Sequence, residues 1–230
     1  MTKHGNGAEK RWYDDACGTA FAMELVGERW SLLIVRELMF GPRRFGELRQ
    51  GLPGISANVL TQRLEGLERA GILKRRKLPP PASVQVYELT PWGYQSETAI
   101  QELGRWATRS PAHDPSLPVS AASIMLSFRT MYDRERAKGL DAAVGFRFGD
   151  ESFVGVLTDE EIKVRRAEPE GDVVFETTPM GMAAIVYGGL PIAAAEANNM
   201  LTLEGDRALA ERFVTLFPLP PKIEIEAAAA

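Results

Sequence analysis

The sequence predicts an α+β protein in two parts, and three observations predict it. Residues 1–110 hold apolar side chains at helical spacing, whereas the chain beyond residue 119 holds several short alternating or continuous apolar runs. Charge divides at the same place: residues 1–110 carry 16 Lys and Arg against 12 Asp and Glu, while 111–230 carry 11 against 19. The stretch SPAHDPSLP (110–118), with three prolines and no apolar periodicity, falls at the switch and reads as an interdomain linker. The division is therefore 1–110, a linker over 111–118, and 119–221.

Each element follows from local signals. Phe21, Leu25 and Val26 mark an amphipathic helix that stops near Gly27, and WSLLIVRELMFG (30–41) a more apolar one ended by Gly41 and Pro42. Phe45 to Gln50 make a short third helix, followed by the turn GLPGI (51–55). Ser56 then offers an N-cap to a helix reaching Ala70, with Leu60, Leu64 and Leu67 on one face and Gly71 closing it. The segments ILKRRKL (72–78) and VQVYELT (84–90), joined by PPPAS, read as a β-hairpin with a long tip. Thr90-Pro91 opens one helix through Trp106. In the second half a helix covers 119–133, and AAVGFRF and SFVGVLT form a hairpin around Gly149-Asp150-Glu151. Strands at 162–167 and 172–176, helices at 178–188 and 191–199, a strand at 200–205 and a helix at 206–217 complete the pattern.

Bulk properties narrow the function. The longest apolar runs fall far short of the ~20 residues a membrane span needs, and MTKHGNGAEKRW has no apolar core of the kind a secretory signal requires. Cys17 is the only cysteine, which excludes an intrachain disulfide and a thiolate zinc cluster. A cytoplasmic protein without a membrane partner is the expectation.

The chemistry concentrates in 41–78, where nine basic residues face three acidic ones although the whole chain has a net charge of −4. Helix, turn, helix and basic hairpin in that order make a winged helix-turn-helix. Its second helix must enter the major groove of DNA with an apolar back face holding it on the domain. The leucine face of 56–70 leaves Ser56, Asn58, Thr61 and Gln62 outward, residue types that read base edges or phosphates. Arg43, Arg44, Arg63 and Arg69 lie within reach of the flanking DNA backbone, and Arg75, Arg76 and Lys77 on the hairpin suit an adjacent phosphate run. These residues are the expected contacts to double-stranded DNA.

The run from Val26 to Arg76, followed by VYELTPWG, resembles the HxlR-type winged-helix regulators, and the resemblance extends over about 17–106. It implies a homodimer joined by the first and last helices of this half. It also places the recognition helix at Ser56–Ala70 and the wing at Leu73–Thr90. One departure stands out: PPPASVQVY offers no basic residue before Tyr87, which shifts the expected wing contact toward Arg75 and Arg76. Many members of the family carry a reactive cysteine just ahead of the first helix, where Cys17 stands. Cys17 is accordingly a candidate redox or electrophile sensor, the alternative being a quiet thiol at the dimer interface.

The second half shows no nucleophile, base, metal set or phosphate loop, so the chain is not expected to be an enzyme or to hold a cofactor or metal. Its two histidines, His4 and His113, have no partner at useful spacing. The pattern from DVVFETTPMGM to EGDRALAERFVTLF resembles the end of a sterol-carrier-protein-like domain; the resemblance covers about 119–217, is specific over 173–217, and implies an α/β sandwich-like fold around an apolar tunnel. Phe146, Phe148, Phe153, Phe175, Met180, Met182 and Ile185 are then the candidate lining for a hydrophobic small molecule, with a filled core as the alternative reading. The function expected is a dimeric DNA-binding transcriptional regulator, controlled through that pocket or through Cys17. The rival is a lipid-binding or transfer protein whose winged helix serves protein contacts.

Overall fold

The structure is a computed structural model and describes residues 13–224; His4 lies outside the described residues. The first half begins with helices α1 (Gly18–Val26), α2 (Ser31–Leu38), α3 (Phe45–Gly51) and α4 (Ala57–Arg69). Ser56 caps α4 by accepting a hydrogen bond from the Val59 N–H at 3.3 Å. Leu60, Leu64 and Leu67 are its buried face. Gly71, at φ +72°, takes the left-handed conformation that lets the chain leave the helix for the sheet.

Strands β1 (Leu73–Lys77) and β2 (Gln85–Leu89) form the antiparallel hairpin, with Arg75 opposite Tyr87. Arg43 joins this sheet through a bridge to Tyr87. The single helix expected over 91–106 is instead two, α5 (Pro91–Gln95) and α6 (Glu97–Ala107). Ser96 gives both its N–H (3.2 Å) and its hydroxyl (2.7 Å) to the Gly93 carbonyl, which interrupts the helical ladder. Gly93 cannot carry a side chain, because a Cβ there would lie 2.1 Å from the Ile72 carbonyl oxygen.

The second half opens with α7 (Ala121–Met131), buried on most of its faces, and a short helix that sequence patterning misses, α8 (Arg134–Ala137), capped by Asp133. Strands β3 (Ala142–Phe148), β4 (Glu151–Leu157), β5 (Ile162–Arg166), β6 (Val173–Thr177) and β7 (Leu201–Gly205) form one sheet in the order β5-β4-β3-β6-β7. Only β3 and β6 pair in parallel. Helices α9 (Pro179–Val186) and α10 (Ile192–Ala197) connect β6 to β7, and α11 (Arg207–Phe213) follows. The architecture is thus mixed α+β with a winged helix-turn-helix at its N-terminal end.

Residues 111–118 are exposed and form neither helix nor strand. The parts they join are nevertheless not separate bodies. One continuous cluster of buried apolar side chains includes Ile34, Val35 and Leu38 of α2, most of α7, and the phenylalanines of the sheet. Ser120, which caps α7, also donates to buried Glu37 at 2.6 Å.

Candidate nucleic-acid interface

The outer face of α4 presents Ser56, Asn58, Thr61 and Gln62, all exposed, as its leucine spacing requires. Thr61 returns its hydroxyl proton to the Ala57 carbonyl at 3.0 Å. Asn58 and Gln62, one helical turn apart, make no hydrogen bond with their amides among the described residues and keep their full donor and acceptor capacity. Such a pair, standing out from a rigid helix, has the geometry that bidentate contact with base edges needs.

The basic residues around this helix are not equivalent. Arg44, Arg49, Arg69 and Lys77 are exposed and have no acidic partner among the described residues. Arg44 is also fixed at the start of α3, where its N–H donates to Glu47 at 2.7 Å. Arg75 pairs with Glu68 at 2.7 Å, and Arg76 with Glu88 at 2.6 Å. The hydrogen bond from Arg75 holds the Glu68 carboxyl below its usual range, and Glu68 raises Arg75 in return. Arg75 and Arg76 are therefore partly neutralised from within, whereas Lys77 on the same strand is not.

Two expected contacts have partners within the protein. Arg43 is only 7% exposed, and its guanidinium grips Glu151 of the second half at 2.7 and 3.1 Å. Arg63 is half-buried, donating to the Arg29 carbonyl at 3.0 Å and pairing with Glu28 at 2.9 Å. Both side chains are engaged inside the protein. Adjacency in sequence to Arg44 and to Gln62 conceals this, because the partners lie 108 and about 35 residues away. Among the described residues Arg69 is an expected contact left free, and Arg49 is a free cation that sequence reading does not single out.

Cys17 is exposed and stands at the N-cap of α1. Its thiol makes no capping hydrogen bond of full geometry, but it lies against the amide N–H groups of Thr19 and Ala20. These hold its pKa below the ordinary thiol value.

The candidate apolar lining has a different fate. Phe146, Phe153, Phe175 and Met182 have no exposed surface, and Phe148 and Ile185 almost none; Met180 is half-buried. Phe146 stacks on Phe175 at 6.0 Å and meets Phe128 and Phe213 at 5.8 and 5.6 Å. Phe128 in turn stacks on Phe217 at 4.4 Å. These rings contact one another rather than surround an opening, which is the filled-core arrangement. A cavity of about 380 Å³ lies elsewhere, between α6, α7 and the β4–β5 turn, and its walls are mainly polar, among them Glu97, Arg129 and Glu160. The carboxylates of the turn 159–161 are engaged: Asp159 accepts from the Gly139 N–H, while Glu160 and Glu161 pair with Arg134 and Lys163.

Comparison with known proteins adds to this geometry. A family model described as HxlR-like helix-turn-helix matches residues 25–114. The HTH-type transcriptional regulator YodB of Bacillus subtilis is 40% identical over 86 residues, which is 37% of this chain and 77% of that protein. The uncharacterized HTH-type transcriptional regulator YvaP of the same organism is 37% identical over 87 residues, covering 38% of this chain and 81% of the relative. Among solved structures, the reduced form of YodB from B. subtilis is similar with 35% identity and a TM-score of 0.39, covering 44% of this chain and all of that one.

Proposed function

The chain belongs to the HxlR-like helix-turn-helix family, and from that premise we propose that it is a sequence-specific transcriptional regulator that binds duplex DNA as a homodimer. The observation that carries this reading is the outer face of α4, where Asn58 and Gln62 stand unengaged among the described residues, in a half that also exposes Arg44, Arg49, Arg69 and Lys77. Residues 1–110 form the DNA-binding unit and 119–221 a second unit that acts on it. Two copies of α4 related by a dyad would read half-sites with centres about 34–36 Å apart.

Exposed apolar side chains support the dimer. Met23 on α1 and Leu103 and Trp106 on α6 are exposed, Trp106 by 73%, on the two helices the family resemblance assigns to the interface. Sedimentation of the purified protein should give a dimer, and Trp106→Glu with Leu103→Glu should give a monomer of weakened DNA affinity. A wild-type monomer would overturn the dimer.

The decisive experiment for DNA binding is fluorescence anisotropy on the DNA upstream of the protein's own gene, repeated across salt concentrations. A protein that neutralises phosphates must lose affinity steeply as salt rises; an absence of binding at low salt would sink the reading. Cys17 extends it. Among similar proteins, YodB has been solved in a quinone-bound form and HypR is named a redox regulator. Cys17, with its lowered pKa at a helix start, is proposed to answer an electrophile or oxidant in the same way. Treating the protein with a quinone should change DNA affinity, and Cys17→Ser should abolish the change.

A further inference from the structure

Arg43 belongs to two parts of the molecule at once. Its backbone is laced to β2: its N–H donates to the Tyr87 carbonyl at 2.9 Å, and its carbonyl accepts from the Tyr87 N–H at 2.8 Å. Its side chain crosses to the second half, where Nη1 and Nη2 donate to the two oxygens of Glu151 at 2.7 and 3.1 Å. Glu151 opens β4 and also accepts from Nη1 of Arg166, on the neighbouring strand β5. The Arg166 guanidinium lies over the Phe153 ring at 4.6 Å. Phe153 in turn meets Phe40, just beyond α2, edge to face at 5.7 Å.

This cluster is poor in compensation. Two guanidiniums share one carboxylate, and Nε of Arg43 with Nε and Nη2 of Arg166 are buried without a hydrogen-bond partner. Glu47 approaches Arg43 Nε at 3.8 Å, too far for a hydrogen bond. Burial and the neighbouring Arg43 both lower the pKa of Arg166. A buried ion cluster of this kind is weak evidence for net stability, since desolvation offsets much of the attraction. A bidentate guanidinium–carboxylate pair does, however, fix orientation, because both oxygens and both nitrogens must align. Removing the carboxylate charge would leave two like charges facing each other in a poorly solvated seam.

We propose that Arg43, Glu151 and Arg166 form a joint that fixes the wing to the second-half sheet, so that a displacement of β4 and β5 is carried to the wing. The joint stands on geometry alone; that moving the wing changes DNA binding rests on the function proposed above. The covalent path between the two parts runs through an exposed stretch without helix or strand over 111–118. Beside the buried cluster that the two parts share, Arg43 supplies a polar path from β4 to the wing in one side chain.

Amide hydrogen exchange on the full chain without DNA tests the joint. Glu151→Gln keeps the shape and removes the charge. The Arg43, Tyr87 and flanking wing amides should then exchange roughly tenfold faster or more, while Leu201–Gly205, on the far edge of the sheet, keeps its rates. An unchanged wing, with any acceleration confined to 151–166, would overturn the proposal. Should Glu151→Gln not fold, Glu151→Asp retains the charge but shortens the reach by one methylene. Its wing amides should still speed up, and wild-type rates there would overturn the joint equally. Operator affinity is measured separately: a loosened wing in a protein that binds no DNA removes the regulator reading and leaves the joint intact.

Discussion

The outer face of α4 and the aromatic layer beneath β3, β4 and β6 are built for opposite ends. On α4, Asn58 and Gln62 reach into solvent and their amides have no hydrogen-bond partner among the described residues. In the layer, Phe146 touches Phe128, Phe148, Phe175 and Phe213 and has no exposed surface. Hydrogen-bonding capacity held rigidly outward is capacity for a partner. Apolar surface already covered by other rings has done its work in folding. The first region can therefore be altered at little cost to stability and great cost to binding, and the second the reverse.

The largest effect should come from the layer. Phe146→Ala should cost about 3–5 kcal/mol of stability, as truncations of fully buried aromatics do. Its signature sharpens the comparison, because all four tryptophans lie before residue 110. If the buried cluster that spans both halves unfolds as a unit, tryptophan fluorescence must report the loss in a denaturant titration, although Phe146 is in the other half. A tryptophan midpoint that stays put would show two independently folding bodies.

The next effect belongs to α4. Asn58→Ala and Gln62→Ala should each remove about 1–3 kcal/mol of discrimination between operator and mismatched DNA. Both should leave the unfolding midpoint within about 0.5 kcal/mol of the parent. A variant that loses stability without losing discrimination would break the comparison outright.

A smaller, sequence-independent effect separates the cations. Arg44→Ala or Arg69→Ala should weaken binding on all sequences and lower the salt slope by about 1. Arg75→Ala should lower it less, because Glu68 already takes up part of that charge. Equal slopes for the three variants would show that the ion pair opens on DNA.

The same contrast separates what the amino-acid sequence makes legible from what it hides. The leucine spacing of 56–70 and the N-cap Ser56 define a helix whose outer face follows by elimination, and that face is where the structure has it. Local signals also locate every strand of the second sheet. Sequence patterning fails where distant chain segments decide. Arg43 and Arg44 are neighbours of one chemical type, yet one is exposed and the other is held by Glu151, 108 residues on. Apolar residues are ambiguous for a related reason, since the same phenylalanines suit a tunnel wall and a filled core, and only their mutual distances decide. The break at Ser96 is hidden because serine is tolerated inside a helix and at its ends alike.

The smallest expected effect concerns Cys17, and its sign is unusual. Folding ordinarily shields a cysteine from alkylation. Here the thiol is exposed, and the Thr19 and Ala20 amides favour its thiolate, an influence that exists only while α1 is formed. At a pH below the ordinary thiol pKa, the folded chain therefore holds a larger thiolate fraction than the unfolded chain. A lower pKa also makes each thiolate a weaker nucleophile, but with a Brønsted coefficient of about 0.4–0.5 that loss is smaller than the gain in fraction. Iodoacetamide at neutral pH should thus label the native protein faster than the same protein in urea. The difference should shrink as pH rises past the unfolded thiol's pKa, where both forms are ionised, and then reverse in favour of the more basic thiolate. Slower labelling of the native chain at neutral pH would mean that α1 does not activate Cys17, and the sensor reading would lose its physical basis.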